Sequence, residues 1–465
     1  MAHDNISTVI QLKYGKSRKL FGNVAQIIDE AEGDLTSVEV IKETHEYTTR
    51  EIIVKTDDED HRDEIVHKIK EIDDLELLDA KDETFDLHID GKIEVQSRLN
   101  VENHETLSRV YTPDVARVSK AIDNDPSEAM KYTIKHNTVA IVTDSSALLG
   151  LGEVEPKAGL PVMEGKAMLF KQMADIDAFP ICLDVHDTEE IIQAVKAIAP
   201  SFGGINLEDI AGPQCFEVEQ RLEEELDIPV FHDDQHGTAV VLMAGLLNAL
   251  KVADKKLEDC KVVVTGIGAA GIACSKMLMH AGVGNLIGVD KDGALVEGKD
   301  YDNDRWNWYA EHTNPNKEEG ELSDVIEDAD VFIGVSAPNI LKEEDVKTMA
   351  DNPIVFAMAN PTPEIPPEDA APHVKVMATG RSDYPNQINN VLCFPGLFRG
   401  ILDANATEVP MEMKMAAAEA IASVAEEDGI HEEYIIPDVF NDKVVPQIRD
   451  AIIEAASGSG RSPKE

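Results

Sequence analysis

The chain is short of positive charge. It carries 42 Lys plus Arg against 90 Asp plus Glu, a formal net charge of −48 over 465 residues. Such a surface repels nucleic acid and anionic membranes, so neither is expected as a partner. Cysteine is also scarce, with five residues at 182, 215, 260, 274 and 393 and no CxxC pair. These are expected to be reduced, buried thiols of a cytoplasmic protein, which excludes a disulfide framework or a zinc ribbon. No run of roughly 18 apolar residues occurs, so no membrane-spanning helix is expected. The opening MAHDNISTVIQLKYGK lacks a basic-then-apolar leader and is not expected to act as a signal peptide.

What is present points to folded cores. Hydrophobic residues make up 43% of the chain, and the acids are interspersed with periodic apolar residues rather than gathered in a tail. The length calls for two or three domains. The excess of acid would strain a compact fold at low ionic strength. We read it as adaptation to a high-salt cytoplasm, where a short Debye length screens the repulsion.

Residues 1–95 read as β-α-β-β-α-β, with the last strands expected at Leu75–Ala80 and Phe85–Ile89. That order resembles a small ligand-binding ACT regulatory domain. A plain oligomerisation module fits the pattern equally well. Residues 96–237 read as an α/β substrate and metal unit, with buried strands at 138–143, 179–183, 204–207 and 228–231. Residues 238–410 open with a helix over 238–252 and a strand over 261–265, as a second, Rossmann-type α/β unit. Residues 411–465 form a helical segment expected to pack on the two catalytic units, ending in a frayed polar tail from Gly458. The expected fold class is therefore α/β throughout.

The strand 261–265 runs into Gly266-Ile267-Gly268-Ala269-Ala270-Gly271 and then a helix. The first glycine permits the tight turn, the second lets backbone approach a pyrophosphate, and the third lets helix and strand pack closely. The free N–H groups of the helix, with Ala269 at its start, favour the anion. Asp290 ends the next strand, 19 residues beyond Gly271, near the spacing at which an acid takes a ribose hydroxyl. A carboxylate there favours NAD over NADP, although Lys291 follows it directly.

Two acidic pairs end strands of the preceding unit: Glu208 with Asp209, and Asp233 with Asp234. Three carboxylates at the carboxyl edge of a parallel sheet make an all-oxygen site suited to Mg²⁺ or Mn²⁺ rather than Zn²⁺. Any single acid among 90 reads more simply as solvated surface. His232 and His236 read as structural. Lys166, set among apolar residues and glycines, reads as a general base whose pKa desolvation lowers. A lysine with packed stem and solvated head is an equal reading. Tyr111 is ambiguous between core and chemistry.

Taken together, VYTPDVA at Tyr111, VTDSSALLGLGE at 142–153, GLPVMEGKAMLFK around Lys166, NLEDI at Glu208, FHDDQHGTA at Asp234, GIGAAG at Gly266, MANPTPE at Asn360 and NQINNVLCFPG at Asn389 resemble the malic enzyme family, in its short prokaryotic form. The match covers about residues 100–430. The resemblance implies oxidative decarboxylation of L-malate to pyruvate with NAD or NADP and Mg²⁺ or Mn²⁺. It makes Glu208, Asp209 and Asp234 the metal ligands, with Asp233 a neighbour. Lys166 is then the general base and Tyr111 the general acid. Asn360 and Asn390 hold the substrate carboxylate or the nicotinamide side, with Asn389 beside them. Gly266, Gly268, Ala269, Gly271 and Asp290 seat the dinucleotide.

The family resemblance also implies a homodimer or higher homo-oligomer, and the ACT-like pattern of residues 1–95 implies a small-molecule effector there. Longer-subunit members carry an Arg where Ala147 stands, which leaves open the cation that anchors the C4 carboxylate. Competing readings are a malolactic enzyme or another metal-dependent 2-hydroxy-acid decarboxylase, a metal-free amino-acid dehydrogenase, and a non-catalytic metabolite sensor.

Overall fold

A computed structural model describes residues 6–16, 20–148 and 151–458. The polar turn before the first helix and residues 459–465 of the polar tail lie outside the described residues. The chain divides into two compact units, Met1–Val95 and Gln96–Glu465.

The first unit carries strands β1 (Ile6–Gly15), β2 (Asp34–Glu43), β3 (Tyr47–Thr56) and β4 (Leu75–Asp82), with helices α1 (Leu20–Glu30) and α2 (Glu59–Lys70). The sheet order is β2-β3-β1-β4, antiparallel throughout. Alternation along β1 buries Thr8, Ile10, Leu12 and Tyr14. Val24 and Ile28 of α1 and Ile65 and Ile69 of α2 complete that core. Each fully buried Ile, Leu or Val contributes roughly 1.5–3 kcal/mol relative to exposure. The expected strand at Phe85–Ile89 is instead a short helix, α3 (Glu83–His88). Asp82 caps it, accepting hydrogen bonds from the N–H groups of Thr84 and Phe85. The cap outweighs the apolar alternation.

The second unit opens with α4 (His104–Val110), α5 (Ala116–Asn124) and α6 (Ala129–Tyr132), none of which buries a residue. A parallel sheet follows, built from β5 (Thr138–Thr143), β6 (Asp177–Cys182), β7 (Gly204–Leu207) and β8 (Val230–His232), in the order β6-β5-β7-β8. Helices α7 (Leu160–Ala174), α8 (Thr188–Ile198) and α9 (Gln214–Glu225) alternate with these strands. Every residue of β5 and β7 is buried, as both faces of a parallel sheet require.

Helix α10 spans Asp233–Val252, starting five residues before the expected start at Thr238. Asp233 and Asp234 lie in its first turn, where the unpaired N–H groups favour negative charge. The expected domain division at 237/238 falls inside this helix. At Gly237 a Cβ would come within 2.0 Å of Asp233 Oδ1, so glycine leaves room for the carboxylate.

A second sheet has the order β11-β10-β9-β12-β13-β14. Its members are β9 (Lys261–Thr265), β10 (Asn285–Asp290), β11 (Gly293–Ala294), β12 (Val331–Gly334), β13 (Ile354–Ala357) and β14 (Val376–Thr379). All pair in parallel except β10 with β11. Helices α11 (Ala269–His280), α12 (Asp304–His312), α13 (Leu322–Val325), α14 (Glu343–Val346) and α15 (Pro367–Ala370) lie between strands. Three helices close the chain: α16 (Phe394–Ala404), α17 (Met411–Asp428) and α18 (Val444–Gly458). The buried α10 packs on α11 and α17, joining the two sheets' cores.

Candidate active site

Lys166 is the centre of a buried charged knot. It projects from α7, and its Nζ donates to Glu208 Oε2 and to Asp233 Oδ2, each at 2.5 Å. The same ammonium stands 4.4 Å over the Phe394 ring. Glu208 follows β7 and also accepts from Asn206 Nδ2 at 2.9 Å. Asp233, fully buried at the start of α10, accepts a further bond from Asn390 Nδ2 at 2.6 Å. Asn390 follows β14 of the second sheet, so this bond ties the carboxyl edges of the two sheets together.

The electrostatics revise the expectation for Lys166. Burial does push its pKa down, as desolvation predicts. Asp233, Glu208 and Asp234 together outweigh that push, and the group is held above the ordinary lysine range. These carboxylates therefore reverse the downward shift that desolvation alone would give. Burial raises the carboxyls of Glu208, Asp233 and Asp234 in turn, while Lys166 draws each back.

The carboxylates expected to bind metal are brought together in part. Asp209 Nα–H donates to Asp234 Oδ2 at 2.8 Å, so Asp209 joins the pocket through its backbone, in a left-handed conformation with φ +52°. Among the described residues no three His, Cys, Asp or Glu side chains are drawn close enough to form a ready-made metal cage. Lys166 Nζ instead bridges Glu208, one of the three expected ligands, and its neighbour Asp233. The donor set still fits a hard divalent ion. It is all oxygen, and Asp234 is about one-third exposed.

The glycine turn has the expected form. Gly266 has φ +84°, and a Cβ there would meet Val335 O at 2.5 Å. A Cβ on Gly271 would meet Gly266 O at 2.0 Å. At Gly268 a Cβ would meet nothing within 4 Å, so this glycine opens onto free space. Gly268 is also the N-cap of α11, with no side-chain cap bond, and Ala269 is the first helical residue. The N–H groups of that turn are left for an anion. Asp290 ends β10, and its Oδ2 accepts from Ile267 N–H at 2.8 Å, bracing the turn.

Tyr111 stands apart. It caps the end of α4 and is 69% exposed, with no side-chain hydrogen bond among the described residues. Asn360 is exposed beside Gly380, where a Cβ would meet Asn360 Nδ2 at 2.6 Å. Asn389 spends its side-chain oxygen on Val391 N–H at 3.0 Å.

Glu219 of α9 was not singled out by the sequence. Its carboxylate accepts from His232 N–H at 2.9 Å, from Gln235 Nε2 at 3.1 Å and from His236 Nε2 at 3.1 Å. It thereby fastens the β8–α10 junction that carries Asp233 and Asp234. His236 joins the junction through its ring and His232 through its backbone N–H. Burial opposes the Glu219 charge, but His236 and Lys414 prevail and hold its pKa near about 2. A depressed carboxylate stabilises the fold above its unfolded pKa and loses that contribution as pH falls toward about 2. Glu219→Gln is expected to lower Tm at pH 7 and to flatten the loss of Tm between about pH 4.5 and 2. Parallel Tm–pH curves for variant and wild type would contradict this.

Comparisons with known proteins identify the family. The "Malic enzyme, N-terminal domain" signature matches residues 90–223, and the "Malic enzyme, NAD binding domain" signature matches residues 235–457. The chain is 61% identical to an NAD-dependent malic enzyme of Geobacillus stearothermophilus, over 99% of this chain and 96% of that protein. It is 51% identical to a bifunctional malic/malolactic enzyme of Bacillus subtilis, over 82% of this chain and 94% of that protein. Among solved structures, the NAD-dependent malic enzyme of Thermotoga maritima matches with a TM-score of 0.78 and 49% identity, covering 80% of this chain and 99% of that one. The amino-acid-dehydrogenase and sensor readings give way to these matches. The chain belongs to the malic enzyme family.

Proposed function

We infer that the chain converts L-malate to pyruvate and CO₂ while reducing NAD(P)⁺. The observation that carries this is the Lys166–Asp233–Asn390 chain of hydrogen bonds, which joins the acidic edge of one parallel sheet to the edge of the sheet bearing the glycine turn. Initial rates with malate, Mn²⁺ and each nicotinamide cofactor in turn test it. The turn-bracing carboxylate of Asp290 disfavours a 2′-phosphate, so NAD is expected to give the higher kcat/KM.

In this reading Glu208, Asp209 and Asp234 would hold Mg²⁺ or Mn²⁺, and the ion would supply Lewis acidity at the C2 oxygen. With Glu208 and Asp234 holding such an ion, less of their charge would act on Lys166 and burial would again push it down, leaving an amine able to accept a proton. Lys166, hydrogen-bonded to Asp233, then takes the C2 hydroxyl proton as hydride leaves for the nicotinamide. Asn390 orients Asp233 and reaches the substrate carboxylate, and Asn360 faces the nicotinamide side. Asn389 supports Asn390 by capping its turn. By the family resemblance Tyr111 is assigned the return of a proton to C3 after CO₂ departs, although among the described residues it makes no hydrogen bond to the Lys166 cluster.

Tyr111 lies on a segment that needs a cover. Residues 96–137 contain no buried side chain, yet Leu99, Val101, Leu107, Val110, Tyr132 and Ile134 are all exposed. Large apolar side chains left exposed along one segment favour an interface there. We take the cover to be a second copy, in a homodimer. Leu107→Glu with Val110→Glu is expected to shift a dimer toward monomer in light scattering. A wild-type monomer at micromolar concentration would contradict it.

The βαββαβ unit is proposed to bind a small-molecule effector, so a chain starting at Gln96 would lose any metabolite response while keeping malate turnover. The charge of −48 predicts a Tm that rises with KCl. A Tm independent of salt would remove the high-salt adaptation.

A second reading, malolactic turnover to lactate, is favoured by the bifunctional relative of B. subtilis. Malate consumption without accumulation of free NADH would select it.

A further inference from the structure

We propose that Glu364 is a positioning residue for the nicotinamide end of the dinucleotide site, locking together the loops that leave three neighbouring strands of the second sheet. Glu364 is fully buried. Its Oε1 accepts from Ser336 N–H at 2.8 Å and from Ser336 Oγ–H at 3.2 Å. Its Oε2 accepts from Ala359 N–H at 3.0 Å. Ser336 Oγ is in turn 3.1 Å from Thr265 Oγ1. Thr265 is the last residue of β9, Ser336 lies two residues past β12, and Ala359 lies two residues past β13. One buried hydrogen-bond chain therefore crosses the carboxyl ends of β9, β12 and β13, which are adjacent in the sheet.

The fold makes room for this carboxyl group and packs the glycine turn on the loop it holds. A Cβ on Gly334, the last residue of β12, would come within 2.3 Å of Glu364 Cδ. The Gly266 turn packs on the same loop, because a Cβ there would meet Val335 O at 2.5 Å and Ser336 Cβ at 2.7 Å. Displacing the Ser336 loop therefore displaces the seat of the pyrophosphate. Displacing Ala359 moves its neighbour Asn360. An apolar side chain would fill this space without the desolvation cost of a carboxyl group. What the carboxyl adds is a pair of acceptors facing two different loops. Burial pushes the group up from the usual carboxylate range, and the N–H groups of Ala359 and Ser336 draw it back.

The inference rests on the Gly266 turn being the dinucleotide seat. The test is NADH binding to the full-length protein without metal, read by quenching of Trp306 and Trp308. Trp306 Nε1 donates to Ile267 O at 2.9 Å, within the turn. Glu364→Gln keeps the volume but sets an N–H₂ group against a backbone N–H. It is expected to raise the NADH dissociation constant about tenfold and to lower kcat, with Mn²⁺ affinity within about twofold of wild type. Ser336→Ala removes only the hydroxyl link and is expected to raise the NADH dissociation constant about threefold; it decides the matter if Glu364→Gln does not fold. Wild-type NADH affinity in the folded variant would overturn the proposal. Equal losses of NADH and Mn²⁺ affinity would do so too, since they mark a general structural role. Absence of saturable NADH binding in the wild type would instead overturn the reading of the glycine turn, and this proposal with it.

Discussion

Lys166→Ala is expected to lower kcat by a factor of about 10² or more, the usual contribution of a general base, while NADH affinity is kept. The substitution also strips the cation from between Glu208 and Asp233. Removing one partner of a buried ion pair costs about 3–5 kcal/mol, so Tm should fall as well. Lys166→Arg separates the two effects. A guanidinium can still pair with the carboxylates, but it does not give up its proton in this pH range. The Arg variant should therefore recover part of the lost Tm and none of the lost turnover. Steady-state rates beside thermal unfolding measure both. Turnover near wild type in either variant would remove Lys166 from proton transfer.

The second large effect is expected at the two aspartates that open α10, and it differs between them. Asp234 is partly open to solvent and reaches the Asp209 backbone, so Asp234→Ala should weaken Mn²⁺ binding at least about tenfold. Asp233 is fully buried and bonded to Lys166 and Asn390. Asp233→Asn should lower kcat by about 10² while leaving Mn²⁺ affinity within a few-fold, since it disturbs the proton path more than the ion's ligands. Mn²⁺ titration followed by electron paramagnetic resonance, paired with rates at saturating Mn²⁺, distinguishes them. The same response from both variants would contradict the division of labour.

Much of this site was readable from the residues alone, because strand-ending acids and a glycine turn announce themselves locally. The strand at Thr138–Thr143 and the turn from Gly266 to Gly271 stand where the pattern placed them. Asp233 was placed beside the ligands without a role of its own, because adjacent aspartates look alike in sequence. Their difference arises where α10 begins, which turns one carboxylate inward and leaves the other partly open. The Phe85–Ile89 strand was misread because a single cap residue, Asp82, outweighs local alternation. The upward shift at Lys166 left no local signal for a related reason. Its apolar neighbours in the chain suggest desolvation alone, while the acids that reverse the shift come from β7 and α10, 42 and 67 residues away. Glu219 and Glu364 left no local signal, since each acts through partners that only the fold brings near.

The account stands most directly on where a divalent ion settles and what it does to Lys166. A crystal structure of the protein grown with Mn²⁺ and NADH reports both at once. The expected result is manganese bound by carboxylate oxygens of Glu208, Asp209 and Asp234, with Lys166 Nζ released from Glu208 and still within reach of Asp233. Manganese bound elsewhere, or Lys166 still bridging Glu208 and Asp233 beside an ion-free pocket, would contradict it.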